Sequence, residues 1–100
     1  MTEQINLWVN SLSVQLDHFA QAFIEHTIDG MVSSLRDSGE TRDVAVTIEA
    51  NEVTISLNGA LLPIKPFVSD IVRNTIIGMV SSLKGVDRID NLNITIVRSV

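Results

Sequence analysis

The chain contains no cysteine and no tyrosine, a single tryptophan, and only two prolines. Without cysteine there can be no disulfide, thiolate nucleophile, zinc–thiolate site or cysteine-ligated iron–sulfur cluster. The fold must therefore be held together by its core. Hydrophobic residues make up 45% of the 100 residues, which is enough for one domain of ordinary size. We expect residues 1–100 to form a single domain.

Basic residues are also scarce. Seven Lys and Arg stand against twelve Asp and Glu, and the formal net charge is −5. The basic residues are scattered singly, whereas proteins that bind nucleic acids gather them into patches. The composition therefore argues against a nucleic-acid partner, and the negative charge disfavours anionic membrane surfaces.

Long hydrophobic runs are missing as well. Polar residues interrupt every apolar stretch before the roughly 18 residues that a membrane span requires, so we expect no transmembrane segment. Glu3 lies where a signal peptide would carry Lys or Arg. These features together predict a cytoplasmic protein.

What the chain does contain is an internal repeat. A shift of 48 residues places residues 19–50 on residues 67–98 without a gap. The strongest part of the match lies between residues 27–35 and residues 75–83, and both segments end in the word GMVSSL. A basic residue follows in each copy, Arg36 or Lys84. Two copies indicate a duplication rather than a solenoid.

Each copy is predicted to contain a helix followed by a strand. The second helix is expected from about Pro66 to Lys84, because apolar residues recur there at helical spacing and Gly85 follows as a helix-ending residue. The apolar face that should cover the sheet consists of Phe67, Val68, Ile71, Val72, Thr75, Ile76, Met79, Val80 and Leu83.

Strict alternation of apolar and polar residues predicts strands at residues 44–49, 53–58 and 92–96. The Ala50-Asn51 pair is expected to join the first two as a tight hairpin. The predicted fold is an α+β, two-layer α-β-β-α-β sandwich. Its three-stranded sheet has the order 2-1-3, with both helices on the apolar face, and its strand edges offer a route to pairing between chains.

The first helix is predicted to be long, from about residue 2 to residue 37. Its second half carries the same apolar stripe as the other helix. Its first half carries another stripe, rotated by roughly 100° and spaced like a heptad seam. The seam residues are Ile5, Trp8, Val9, Leu12, Leu16, Phe19 and Phe23.

Two apolar stripes on one helix need two partners, because burying one large apolar side chain is worth about 1.5–3 kcal/mol. We expect a homodimer in which residues 1–18 form a helical extension and the seam forms the interface. The alternatives are a helix that breaks near residues 10–13 and folds back, or a heterologous partner. Ile77, on the polar side of the second helix, is a further candidate contact.

A search for chemical sites yields no candidate catalytic or metal-ligating residue. His18 and His26 are eight residues apart in the chain, too far to hold one ion from a straight helix. No pair of carboxylates suggests acid–base chemistry, and the repeated serines lack the turn of a nucleophile elbow. We expect neither enzymatic activity nor a cofactor.

Two other features call for explanation. Gly30 and Gly78 lie inside the predicted helices, where glycine costs about 1 kcal/mol relative to alanine, and this predicts a close approach of another helix or the sheet. The apolar segment 58–66 either closes one end of the core, lines a ligand site, or contacts a partner. The ligand-site residues would be Leu61, Leu62 and Ile64.

The second half of the chain resembles the BON domain. The likeness covers residues 43–97 and consists of a strand ending in Gly59, a helix, the pair Gly85-Val86, and a last strand. It implies that these three residues are structural, and that the protein is a binding module for phospholipids or other small ligands, often linked to bacterial envelopes. The expected N-terminal helix is longer than in that family, and Pro63 and Pro66 interrupt the turn.

The function expected from the sequence is therefore a non-catalytic, oligomeric binding module, with a homodimer through the first helix. The alternatives are a phospholipid or small-ligand domain of BON type and an acidic chaperone or adaptor for a protein partner.

Overall fold

A computed structural model describes residues 3–35, 42–83 and 85–98 of the chain. Its elements in chain order are β1 (Glu3–Val9), β2 (Leu12–Val14), α1 (His18–Leu35), β3 (Val44–Glu49), β4 (Glu52–Leu57), β5 (Ala60–Leu61), α2 (Pro66–Ser81) and β6 (Asn91–Arg98). The strands form one antiparallel sheet in the order β2-β1-β6-β3-β4-β5. Arg36 and Lys84, the basic residues that follow the repeated word, lie outside the described residues.

The predicted long N-terminal helix is wrong, because β1 and β2 form a hairpin instead. Polar and apolar residues alternate from Gln4 to Leu7, and Leu7 and Val9 are buried while Trp8 between them is only partly so, as expected for a strand with one covered face. Asn10 and Ser11 join the strands with φ angles of 53° and 68°, the positive values of a two-residue hairpin turn.

The helix starts only at His18, and Asp17 explains where it starts. The Asp17 carboxylate accepts a hydrogen bond from the Ala20 amide at 2.7 Å, which satisfies one of the free N–H groups of the first turn. The heptad seam therefore never forms as a single helical surface.

The predicted three-stranded sheet is also wrong, since β1, β2 and β5 add three strands to it. The three strands located from the sequence are β3, β4 and β6, which lie side by side in the middle of the sheet in the order β4-β3-β6. The Ala50-Asn51 hairpin is confirmed, with φ angles of 51° and 67°. Neither β4 nor β6 is an edge, and the actual edges are the short strands β2 and β5.

The elements of the described fold follow each other in the same order in the two halves of the chain. The shift of 48 residues relates β1-β2-α1-β3 to β4-β5-α2-β6. Val46 of β3 faces Ile94 of β6, and these residues are themselves equivalent, so a local twofold axis passes between them. The first strand of each repeat pairs with the last strand of the other: β1 with β6, and β4 with β3. The two repeats are thus interlocked in one sheet.

Both helices cover the same face of the sheet and enclose the core between the two layers. The most deeply buried side chains include Ile24 and Ile28 of α1, Ile76 and Val80 of α2, and Ile96 of β6. The start of α1 lies beside the end of α2, and the reverse holds at the other end, so the helices are antiparallel.

Neither described helix has the length and apolar character needed to cross a membrane.

Candidate functional site

The outer surface of the helical layer is unusually apolar. Two cavities of about 370 and 440 Å³ lie between α1 and α2, one at each end of the helix pair, and we call the surface between the two helices the groove. Phe19 and Phe23 border one end and are 73% and 50% exposed. Phe67 and Ile71 border the helical layer at the start of α2 and are 73% and 49% exposed. We call these four residues the helical apolar patch.

The exposure of Phe67 and Ile71 differs from the expectation, which placed both on the face that covers the sheet. Val72, Ile76 and Val80 of the same expected face are buried. The apolar surface of α2 is therefore wider than the sheet can cover, and the side chains at its border, Phe67 and Ile71, are exposed to solvent. The Phe19 and Phe23 rings lie 5.8 Å apart between centroids, which is the distance of a packed aromatic pair.

The exposed positions of the two helices are partly identical between the repeats, although others, such as Phe23 and Ile71, differ. Phe19 and Phe67 are equivalent and identical, and so are three other exposed pairs. These are Gly30 with Gly78, Ser33 with Ser81, and Ser34 with Ser82. Buried equivalents are mixed as well. Ile28 and Ile76, Val32 and Val80, and Ile48 and Ile96 are identical, whereas Ile24 and Val72, Val44 and Leu92, and Val46 and Ile94 differ. Identity between the repeats is therefore found in the core and on the surface alike, and among its exposed members Phe19 and Phe67 are the large apolar pair.

The two helix glycines have no role inside the chain that the structure describes. A Cβ atom at Gly30 or Gly78 would meet nothing within 4 Å, so the predicted close approach of another element is not found among the described residues. Both glycines nevertheless lie on the exposed helix surface, where alanine would be favoured by about 1 kcal/mol.

Hydroxyl groups on this surface are satisfied by their own helices. Thr27 and Thr75 donate to the carbonyls four residues earlier at 2.7 Å. Ser34 and Ser82 do the same to Gly30 and Gly78 at 3.0 Å. Such internal bonds leave few free donors, and the surface is less polar than its composition suggests.

Charged side chains of the helices point away from the groove. Glu25 and Asp29 of α1 bind the Arg98 guanidinium, with the shortest contact of 2.7 Å to Asp29. Asp70 pairs with Arg73 at 3.1 Å. Among the described residues that line the two cavities, Asp17 alone carries a charge.

The opposite face of the sheet is polar and uncovered by any described element. It holds a shallow depression of about 510 Å³, whose lining includes Trp8, Thr47, Glu49, Asn91, Asn93 and Thr95. Asn93 Nδ2 donates to Thr47 Oγ1 at 3.0 Å. Asn93 Oδ1 is buried without a hydrogen-bond partner among the described residues, a situation that costs about 1–3 kcal/mol.

The repeat symmetry is broken at this depression. Trp8 faces Asn93 across β1 and β6, and the equivalent pair at the other end of the sheet is Ser56 facing Ala45. One half of the open face therefore carries an indole and an amide where the other half carries a hydroxymethyl and a methyl group.

The residues predicted to form the seam are divided among several surfaces. Val9 belongs to the core, and Ile5 and Leu16 pack against it. Trp8 lines the sheet depression, Leu12 is exposed on β2, and Phe19 and Phe23 belong to the helical apolar patch. Ile77, expected on the polar side of α2, is half-buried and packs against the core. Leu7, which the seam omitted, is almost fully buried.

The remaining candidate residues lie near the second hairpin and the end of α2. Leu61 is exposed on β5, whereas Leu62 and Ile64 pack against the core; their role in ligand binding stays a prediction. Gly59 and Gly85 have φ angles of 86° and 89°, which favour glycine. Val86 packs against the core.

No cluster of three or more His, Cys, Asp or Glu side chains that could hold a metal ion occurs within the described ranges. His18 and His26 are exposed on α1. The resemblance to the BON domain stays a prediction, because nothing outside the sequence bears on it. Comparisons of the chain with protein-family models, curated proteins and solved structures found no match.

Proposed function

We propose that the protein is a non-catalytic self-association module, and that two copies dimerise by docking their helical layers against each other. The observation that carries this proposal is the exposure of large apolar side chains at equivalent positions of both helices, above all Phe19 and Phe67, which are each 73% exposed. A surface repeated about a local twofold axis suits a partner that is itself twofold symmetric. A second copy of this chain meets that condition, since a symmetric dimer uses the same patch on both subunits.

The shape of the molecule leaves room for an interface of ordinary size. It measures 36 × 34 × 19 Å, so its broad faces are larger than the roughly 800 Å² that each partner contributes to an interface of standard size.

The chemistry of the helical surface supports the same partner. Exposed apolar side chains lie near both ends of the groove, exposed apolar patches mark interaction sites, and the cavities carry little charge that would have to be desolvated. Gly30 lines the cavity at one end of the groove, and Gly78 is its equivalent in the other repeat. Both are exposed and permit helices of the second copy to approach closely, because interaxial distance depends on side-chain size at the contact. The edge strands offer a weaker route, since β2 and β5 have three and two residues and short edges discourage pairing.

Light scattering on purified protein tests the proposal. Phe19→Asp combined with Phe67→Asp should convert a dimer into a monomer, because four carboxylates would be buried in the interface. The matched control is Leu12→Asp combined with Leu61→Asp, which replaces two leucines on the edge strands, each also 73% exposed. The control should stay dimeric. A wild-type chain that is monomeric at high concentration, or a dimer lost only in the control, would overturn the proposal.

Two other functions expected from the sequence stay predictions. A ligand site of BON type would use the segment around Leu61, and an acidic adaptor would place a partner's helix in the groove between α1 and α2. No structural observation favours either over self-association. The cytoplasmic location is likewise a prediction from the sequence.

A further inference from the structure

We infer that the depression on the open face of the sheet binds a neutral saccharide ring, stacked against Trp8 and hydrogen-bonded to Asn93 and its polar neighbours. This site lies on the opposite side of the sheet from the helical layer, so it is independent of self-association.

The first reason is the broken symmetry of this face. The Trp8–Asn93 pair of one half corresponds to Ser56–Ala45 in the other half. A single asymmetric ligand needs one specialised half-site rather than two equal ones. The change adds the two groups that a small-molecule site most needs, an aromatic surface and an amide with both a donor and an acceptor.

The second reason is the unsatisfied amide. Asn93 uses its Nδ2 group on Thr47, while its Oδ1 atom is buried and lacks a partner among the described residues. A small rotation of the amide toward the depression would let this oxygen accept a hydrogen bond from a ligand hydroxyl.

The third reason concerns which chemistry fits the lining. No Lys or Arg lines the depression, and Glu49 is its one charged residue among those described, so a phosphate or carboxylate ligand would be repelled. Thr47, Thr95 and Asn91 add hydroxyl and amide groups that pair with hydroxyls as donor or acceptor. The indole of Trp8 offers an apolar face for the C–H side of a sugar ring. A neutral, hydroxyl-rich ring satisfies all three demands.

The single tryptophan makes a direct test possible. Trp8 is the only Trp and there is no Tyr, so fluorescence excited at the indole reports this site alone. We would titrate maltotriose, cellotriose and N-acetylated chitotriose, with adenosine as a flat aromatic probe that also stacks on indole. At least one trisaccharide should give a saturable change in emission.

Matched variants then test whether the fluorescence change comes from binding at this depression. Asn93→Ala should weaken binding about tenfold, the worth of one hydrogen bond to a polar ligand, whereas Ser56→Ala, at the position equivalent to Trp8, should leave it unchanged. Thr47→Val serves as a second disrupting variant should Asn93→Ala not fold. The monomeric Phe19→Asp, Phe67→Asp variant should bind as the wild type does, which separates this inference from the proposed dimer.

No saturable change with any trisaccharide, or a saturable change that Asn93→Ala and Thr47→Val leave unaffected, would overturn the inference. Saturation by adenosine alone would overturn the assignment to saccharides.

Discussion

Asn10 and Asn58 hold the same place in the two halves of the molecule. Asn10 Oδ1 accepts hydrogen bonds from the amides of Asp90 and Asn91 at 2.7 and 3.1 Å. Asn58 Oδ1 accepts from the equivalent amides of Arg42 and Asp43 at 2.9 and 3.1 Å. Each asparagine therefore ties the hairpin turn of one repeat to the start of the last strand of the other.

This arrangement predicts that Asn10→Ala and Asn58→Ala each lower the free energy of unfolding by about 1–3 kcal/mol, because two backbone donors lose their acceptor. Both asparagines also have positive φ angles, 53° and 51°, which alanine disfavours. Asn→Gly variants are the control, since glycine accepts the backbone angle but not the hydrogen bonds. Urea unfolding should show a loss in the glycine variants too, and full stability there would mean that the side-chain bonds contribute nothing.

The hairpin in place of a helix predicts different roles for two leucines of the N-terminal segment. Leu7 is 1% exposed and Leu12 is 73% exposed. Leu7→Ala should therefore cost about 2–5 kcal/mol through lost contacts and a cavity, and Leu12→Ala should cost less than about 0.5 kcal/mol. Equal losses in thermal or urea unfolding would favour the helical seam over the hairpin.

Substitution of the helix glycines should have opposite effects on folding and on association. In the monomeric Phe19→Asp, Phe67→Asp background, Gly30→Ala and Gly78→Ala should each stabilise the fold by up to about 1 kcal/mol, since alanine is the better helix former and its Cβ meets open space. In the wild-type background the same changes should weaken the dimer. Sedimentation velocity measures the dimer and thermal unfolding measures the stability of the fold. If either alanine destabilised the monomeric variant, the glycines would be needed for the fold of the single chain rather than for association.

Arg98 should matter more than other ion-paired residues. Its side chain is 14% exposed and contacts both Glu25 and Asp29, joining the end of β6 to α1. Arg98→Ala should cost about 1–2 kcal/mol, because two carboxylates are left together without their cation. The control is Arg88→Ala, which removes an exposed pair with Asp90 and should change stability by less than about 0.5 kcal/mol. Similar losses for both would mean that the Arg98 cluster is only a surface pair.

The sequence was a better guide to the middle of the chain than to its start, and the reason is local. Residues 44–49 alternate in a way that fits only a strand, whereas Ile5, Val9, Leu12 and Leu16 fit a heptad as well as they fit a hairpin. The turn at Asn10-Ser11 and the cap at Asp17 decide between the two. Asn10 aligns with Asn58 under the same shift of 48 residues, so the repeat itself carried the missing signal.

The candidate sites were less predictable, because both depend on which residues meet in space. Phe67 belongs to a continuous apolar arc, and only the position of the sheet reveals that this arc exceeds the area to be covered. Trp8 and Asn93 come from opposite ends of the chain and become neighbours because β1 of the first repeat pairs with β6 of the second. No local sequence pattern predicts that the strands of one repeat pair with strands of the other.

The most direct measurement of the proposed dimer is an isotope-filtered NOESY spectrum of a sample that mixes labelled and unlabelled chains. Rings of Phe19 and Phe67 in one copy should show contacts to helix residues of the other copy, such as the methyl groups of Met31 and Met79. A spectrum without contacts between chains, or with contacts only from β2 and β5, would contradict an interface formed by the helical layers.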